Sequence, residues 1–132
     1  MIYLDTAALV KLVRREVGSD ALVEWIADRP EQLLVSSALA EVELPRALRR
    51  TEPALVAAVP AVLGRIAIYE IDDLVRATAA AYTDPHIRSL DAIHLATAHA
   101  VLADDLTCFV SYDRRLLATA TELGLPTSAP GG

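Results

Sequence analysis

Short oily runs alternate along this chain with longer amphipathic stretches, and that alternation constrains the fold more than any other feature. The strand-like runs are IYLD (2–5), LLVS (33–36), IAIYEI (66–71), TCFVS (107–111) and PTSA near the end. Between them the spacing of apolar residues predicts helices over 7–15, 19–28, 37–50, 53–64, 72–82, 90–103 and 113–122. Gly124 stands where the last helix should stop. Strands separated by helices form βαβ units. The expectation is one α/β domain over 1–132, with a mostly parallel sheet of four to five strands and helices on both faces. In such open sheets ligands bind at the carboxyl ends of the strands.

Composition narrows the setting. Hydrophobic residues make up 54% of the 132, a high share that raises the question of a membrane span. The longest oily run, ALVAAVPAVLG (54–64), is broken by Pro60 and falls short of the roughly 18 residues a span needs. The N-terminus, MIYLDTAALVKL, lacks a basic leader and carries Asp5 within its oily stretch, which argues against a signal peptide. A cytoplasmic protein without a membrane partner is expected, its surplus apolar surface marking a subunit or partner interface. Cys108, the single cysteine, reads as a packed thiol. A net charge of −6 argues against nucleic-acid binding by the surface as a whole. Eleven of the twelve basic residues are nevertheless arginine, with pairs at Arg14–Arg15, Arg49–Arg50 and Arg114–Arg115. Planar guanidinium forks suit phosphate.

The acids carry the chemistry. Asp5 ends the first strand, Asp113 follows TCFVS, and Asp91 sits in the first turn of a helix whose stripe continues through Leu95, Ala98 and Leu102. All three therefore belong to one rim of the sheet. Each alone reads equally as a helix cap. In SSALAEVELPRAL, Glu43 has Leu39 and Ala47 as its i±4 neighbours and faces inward, whereas Glu41, with Ser37 and Pro45, reads as solvated. Gathering carboxylates is costly: two about 4 Å apart repel by roughly 4 kcal/mol at an effective dielectric of 20. Sharing a proton or holding a cation are the usual reasons, and oxygen donors without a Cys or His cluster suit Mg²⁺ or Mn²⁺. His94 and His99 share the Asp91 helix, and His94 reads as a satisfied structural side chain. The tyrosines and Trp25 form no stacking platform.

With these residues in view the chain resembles the PIN-domain family, and within it the VapC-type toxins of type II toxin–antitoxin pairs. MIYLDTAALVKL resembles the opening block with its first acid, Asp5. VSSALAEVELPRAL resembles the second, in which Glu-x-x-Arg-Ala selects Glu43 with Arg46. LDAIHLATA resembles the third, with Asp91, and FVSYDRRLLATATELGL the fourth, with Ser111 and Asp113. Ala7 stands where the family often has Ser or Asn. The resemblance implies a Mg²⁺-dependent endoribonuclease, a homodimer, and a VapB-type antitoxin that blocks it. Asp5 and Asp91 would be the main metal ligands. Glu43 and Asp113 would complete the pocket and orient a water or second ion. Ser111 would bind a phosphate oxygen or hold an acid in place. Arg46 would grip flanking phosphate or meet the antitoxin. Two alternatives stand beside this: a catalytically silent PIN-like binding module, and a receiver-like or HAD-like phosphoaspartyl domain. The latter calls for a later lysine or a DxD pair, and Lys11 is the sole lysine.

Overall fold

A computed structural model describes all residues, Met1–Gly132. The strands are β1 (Ile2–Leu4), β2 (Leu34–Ser37), β3 (Ala67–Tyr69), β4 (Cys108–Val110) and β5 (Thr127–Ser128). They form one sheet in the order β3-β2-β1-β4-β5, with every neighbouring pair parallel. The helices are α1 (Thr6–Val13), α2 (Ser19–Ala27), α3 (Ala40–Thr51), α4 (Val59–Leu63), α5 (Asp73–Ala81), α6 (Ser89–Ala96) and α7 (Arg114–Glu122).

Alternation within each strand divides the core into two layers. Ile2 and Leu4 of β1, with Cys108 and Val110 of β4, meet Leu9 of α1, Leu22 of α2 and Leu44 and Leu48 of α3. Tyr3 and Phe109 point the other way, onto Leu95 of α6, Ala98 just beyond it, and Leu116 and Ala120 of α7. The two aromatic rings are register partners and stack, with centroids 5.4 Å apart. Right-handed crossovers account for this division. Connections running from β1 out to β3 place α1–α4 on one face. The chain then reverses to reach β4 and β5, and the returning helices fall on the other. Each fully buried leucine stabilises the fold by roughly 2 kcal/mol.

The expected fold is present, with differences at element ends and in two helices. The stretch 53–64 is not one helix: Pro53–Ala58 is 3₁₀ and α4 follows with Pro60 in its first turn. Pro60 has no N–H to continue a ladder from upstream. The helix expected over 90–103 is α-helical only to Ala96, and Thr97–Leu102 widens into π geometry. There the Thr97 hydroxyl donates to the Ile93 carbonyl at 2.8 Å, and the Thr97 N–H is shared between the His94 and Ile93 carbonyls. The strand expected over 66–71 shrinks to three residues at the sheet edge. No helix is long and apolar enough to cross a membrane.

Candidate active site

The strand order makes β1 the switch point, with β2 on one side and β4 on the other. Chain segments leaving β1 and β4 turn to opposite faces and leave a crevice at the carboxyl end of the sheet. Asp5 is the first residue past β1, and Asp113 follows β4 after Ser111 and Tyr112. Glu43 reaches the same end from α3, the helix after β2, and Asp91 from the first turn of α6.

Asp5 is buried, and its Oδ1 accepts the Ala8 N–H at 3.0 Å, so it does cap α1. Burial pushes its carboxyl up and the Asp91 charge adds to this, against the His94 imidazole, the Ser111 hydroxyl and the Ala8 N–H. Asp113 caps α7, its Oδ1 accepting from Arg115 and Leu116 N–H at 2.9 and 3.2 Å, and its side chain is exposed. Asp91 behaves differently. It accepts no hydrogen bond, and the N-cap of α6 is Arg88, which makes no side-chain cap either. Burial, then the charges of Asp113 and Glu43, raise the Asp91 carboxyl, against His94 and Arg88. Capping therefore does not explain Asp91.

Glu43 is held from two sides. Its Oε1 accepts the Thr6 hydroxyl at 2.6 Å and His94 Nε2 at 2.8 Å. Half-burial alone would raise this carboxyl, but those hydrogen bonds and the imidazole outweigh it and keep Glu43 below its ordinary value. Glu41 is exposed, as its neighbours implied. Ser111 is fully buried; its hydroxyl oxygen accepts the Asp113 N–H at 3.2 Å and the group bears on Asp5. With no surface to offer a phosphate, Ser111 is placed to hold the two acids. Arg46 is exposed and lines a cavity of about 370 Å³ with Thr6, Leu39, Glu43, Arg50 and Leu90. A second cavity, about 380 Å³, is lined by His86, Arg88, Asp91, Asp113, Arg114 and Arg115. It contains no apolar side chain.

None of the ion pairs in the chain includes Asp5, Asp91 or Asp113. The Asp91 charge raises Asp5, and the Asp113 charge raises Asp91. A hard cation fits such an oxygen-only set. No three Asp, Glu, His or Cys side chains stand close enough to ligate one ion together. The acids form an open rim, suited to an ion that keeps several waters, such as Mg²⁺. Lys11, the lysine a phosphoaspartyl site would need, is committed to Glu16 at 3.0 Å and the Val17 carbonyl at 2.8 Å.

Sequence reading passed over Thr6 and assigned His94 no part beside Glu43. The available signal was spacing: His94 lies three residues after Asp91 and so on the same helix face. The Arg14–Arg15 pair is not free, since Arg14 meets Glu16 and Glu52 and Arg15 meets Asp20.

A five-stranded parallel sheet with acids at its switch point defines an α/β domain whose candidate site is acidic. The PIN domain model matches residues 2–122, and the chain belongs to that family. Over 132 residues it is 55% identical to Ribonuclease VapC35 of Mycobacterium tuberculosis (strain ATCC 25618 / H37Rv), covering 99% of this chain and 98% of that protein. Ribonuclease VapC46 of the same strain is 40% identical, with 98% and 97% covered. Ribonuclease VapC47 of M. tuberculosis (strain CDC 1551 / Oshkosh) is 37% identical, with 99% and 98% covered. A solved structure of FitAB bound to an IR36 DNA fragment shares the fold, with a TM-score of 0.65, 17% identity, and 100% of this chain and 96% of that one covered.

Proposed function

We propose that this protein is a VapC-type toxin, an endoribonuclease that hydrolyses RNA phosphodiester bonds with Mg²⁺, for which Mn²⁺ can substitute. The observation that carries this reading is the unpaired set of Asp5, Asp91 and Asp113 at the switch point, beside an ionised Glu43. Relatives named as ribonucleases, at 55% identity over nearly full length, support it.

Asp5 and Asp91 would hold the cation, with Asp113 adding negative charge at the rim. Bound there, a divalent cation would supply Lewis-acid polarisation of the scissile phosphate. Glu43, kept ionised by Thr6 and His94, orients the attacking water and accepts its proton. Arg46 and Arg50 on one side, and Arg88, Arg114 and Arg115 on the other, line the cavities flanking the acids and stand outside every ion pair. They grip the phosphates on either side of the cut, which is how an acidic protein binds RNA locally. A toxin that acts on the cell's own RNA works in the cytoplasm.

A VapB-type antitoxin blocks the site, and the protein works as a homodimer. Exposed apolar side chains beside the acids, Val42 at 58% and Leu90 at 48%, supply surface for such partners. The test is cleavage of mixed single-stranded RNAs by purified protein with EDTA, with Mg²⁺, and as Asp5→Asn. Cleavage that needs the ion and the aspartate supports the reading. Cleavage unaffected by EDTA refutes the metal role, and binding of RNA without turnover returns the silent-module alternative.

A further inference from the structure

A buried chain of hydrogen bonds runs from the centre of the sheet to Glu43. Tyr3 lies in the middle of β1, fully buried and stacked on Phe109. Its phenol oxygen is 2.6 Å from Nδ1 of His94, itself only 2% exposed. The other ring nitrogen, Nε2, is 2.8 Å from Glu43 Oε1 and 3.1 Å from the Thr6 hydroxyl. A carboxylate oxygen can only accept, so Nε2 must carry the proton it donates. With the ring neutral, Nδ1 is an acceptor and the Tyr3 hydroxyl its donor; a doubly protonated ring would reverse that bond. The two nearby hydroxyls are spoken for as donors: Ser36 donates to the Leu4 carbonyl and Thr97 to that of Ile93. Thr6 donates to Glu43, which leaves its oxygen free to share the Nε2 proton. Glu43 Oε1 thus receives two donors, while Oε2 has none.

We propose that Tyr3 and His94 are positioning residues for Glu43: the phenol holds the imidazole in its Nε2–H form, and that N–H, with the Thr6 hydroxyl, pins Oε1 so that Oε2 is the oxygen offered to the acidic rim. The inference rests on Glu43 serving the reaction proposed above. A histidine oriented by a second hydrogen bond is a common device for fixing which nitrogen faces a site. Tyr3 has a purely structural duty as well, filling the layer against Phe109, and phenylalanine keeps that duty while removing the hydroxyl.

The experiment has two parts. Long-range ¹H–¹⁵N correlation on the metal-free protein at pH 8 reads the His94 tautomer without any substrate. The expected form is neutral Nε2–H in the parent and a mixture of tautomers in Tyr3→Phe. A parent ring that is Nδ1–H or doubly protonated, or a Tyr3→Phe ring still wholly Nε2–H, overturns the proposal. Steady-state cleavage of a single-stranded RNA reporter, with melting temperature as the folding control, is the second part. Losing a supporting contact of this kind costs about 10–100-fold in activity. That loss is expected in kcat of Tyr3→Phe and His94→Leu, with KM near the parent value. His94→Gln, whose amide can donate to Glu43, should recover part of it. Parent-like kcat in His94→Leu, or a loss confined to KM, overturns the proposal. A parent that cleaves no RNA refutes the proposed function, and the tautomer measurement still decides the relay.

Discussion

Asp91→Asn separates a metal-holding carboxylate from a structural one most sharply. Asn caps helices about as well as Asp, and the Asp91 side chain accepts no hydrogen bond in any case. What the substitution removes is charge. Asp113 and Glu43 both press the Asp91 carboxyl upward. Two like charges about 8 Å apart repel by roughly 2 kcal/mol at an effective dielectric of 20. Asp91 is half-exposed, and a Debye length of about 8 Å at physiological salt screens much of this, leaving on the order of 1 kcal/mol in all. The metal-free variant should therefore melt about 4 °C above the parent. Mg²⁺ acts in the opposite sense. At a concentration about 100 times its Kd, a ligand of the folded state alone stabilises by about 2.7 kcal/mol, or about 10 °C here. The parent should show that gain and the variant lose most of it, together with RNA cleavage. Differential scanning fluorimetry with EDTA and across an Mg²⁺ titration reads both arms. A variant that melts several degrees below the parent without metal, or that keeps the Mg²⁺ response and cleaves at parent rates, would refute the reasoning.

Other outcomes follow from the same geometry. The folded state holds the Asp5 proton more tightly than the unfolded chain does, so this carboxyl lowers stability as pH rises from about 4, its unfolded value, through its raised folded value. Without metal, Asp5→Asn should match the parent near pH 3.5 and exceed it at pH 7 in a urea-unfolding series; a parent that gains on the variant with rising pH contradicts the sign. Binding of single-stranded RNA should weaken with salt at a log–log slope near −0.7 per phosphate held. Arg46→Gln and Arg114→Gln should each flatten that slope by about 0.7, and unchanged slopes would remove these residues from the grip. Burial pushes the Cys108 thiol up to about 11. At pH 8 it should react with Ellman's reagent roughly a hundredfold more slowly than in the urea-unfolded chain, and equal rates would show that the β4 layer opens readily.

Much of this protein is legible in one dimension because its determinants are local. Period-two and helical spacings, with Pro and Gly as punctuation, depend on neighbours in the chain, and they mark strands and helices to within a few residues. Alternation of the two implies a parallel, doubly covered sheet, since crossovers have one hand. Asp5 and Asp113 lie at strand ends in the sequence itself, so their shared rim follows from the fold class. The differences fall inside long helical stretches, where the spacing of apolar residues does not register a change of helix type. The end of the Asp91 helix widens into π geometry from Thr97, and Pro60 splits the stretch 53–64. Other properties were decided only by assembly. Whether an aspartate is a cap or an unpaired charge depends on what stands across the crevice: Asp5 and Asp113 are caps as well as rim acids, whereas Asp91 is no cap. Ser111 becomes a support for acids because β4 buries it completely. The line from Tyr3 through His94 to Glu43 joins residues 91 and 51 positions apart. No spacing rule spans such distances, because hydrogen bonds are directional and short, and only the packed sheet brings these three groups within reach of one another.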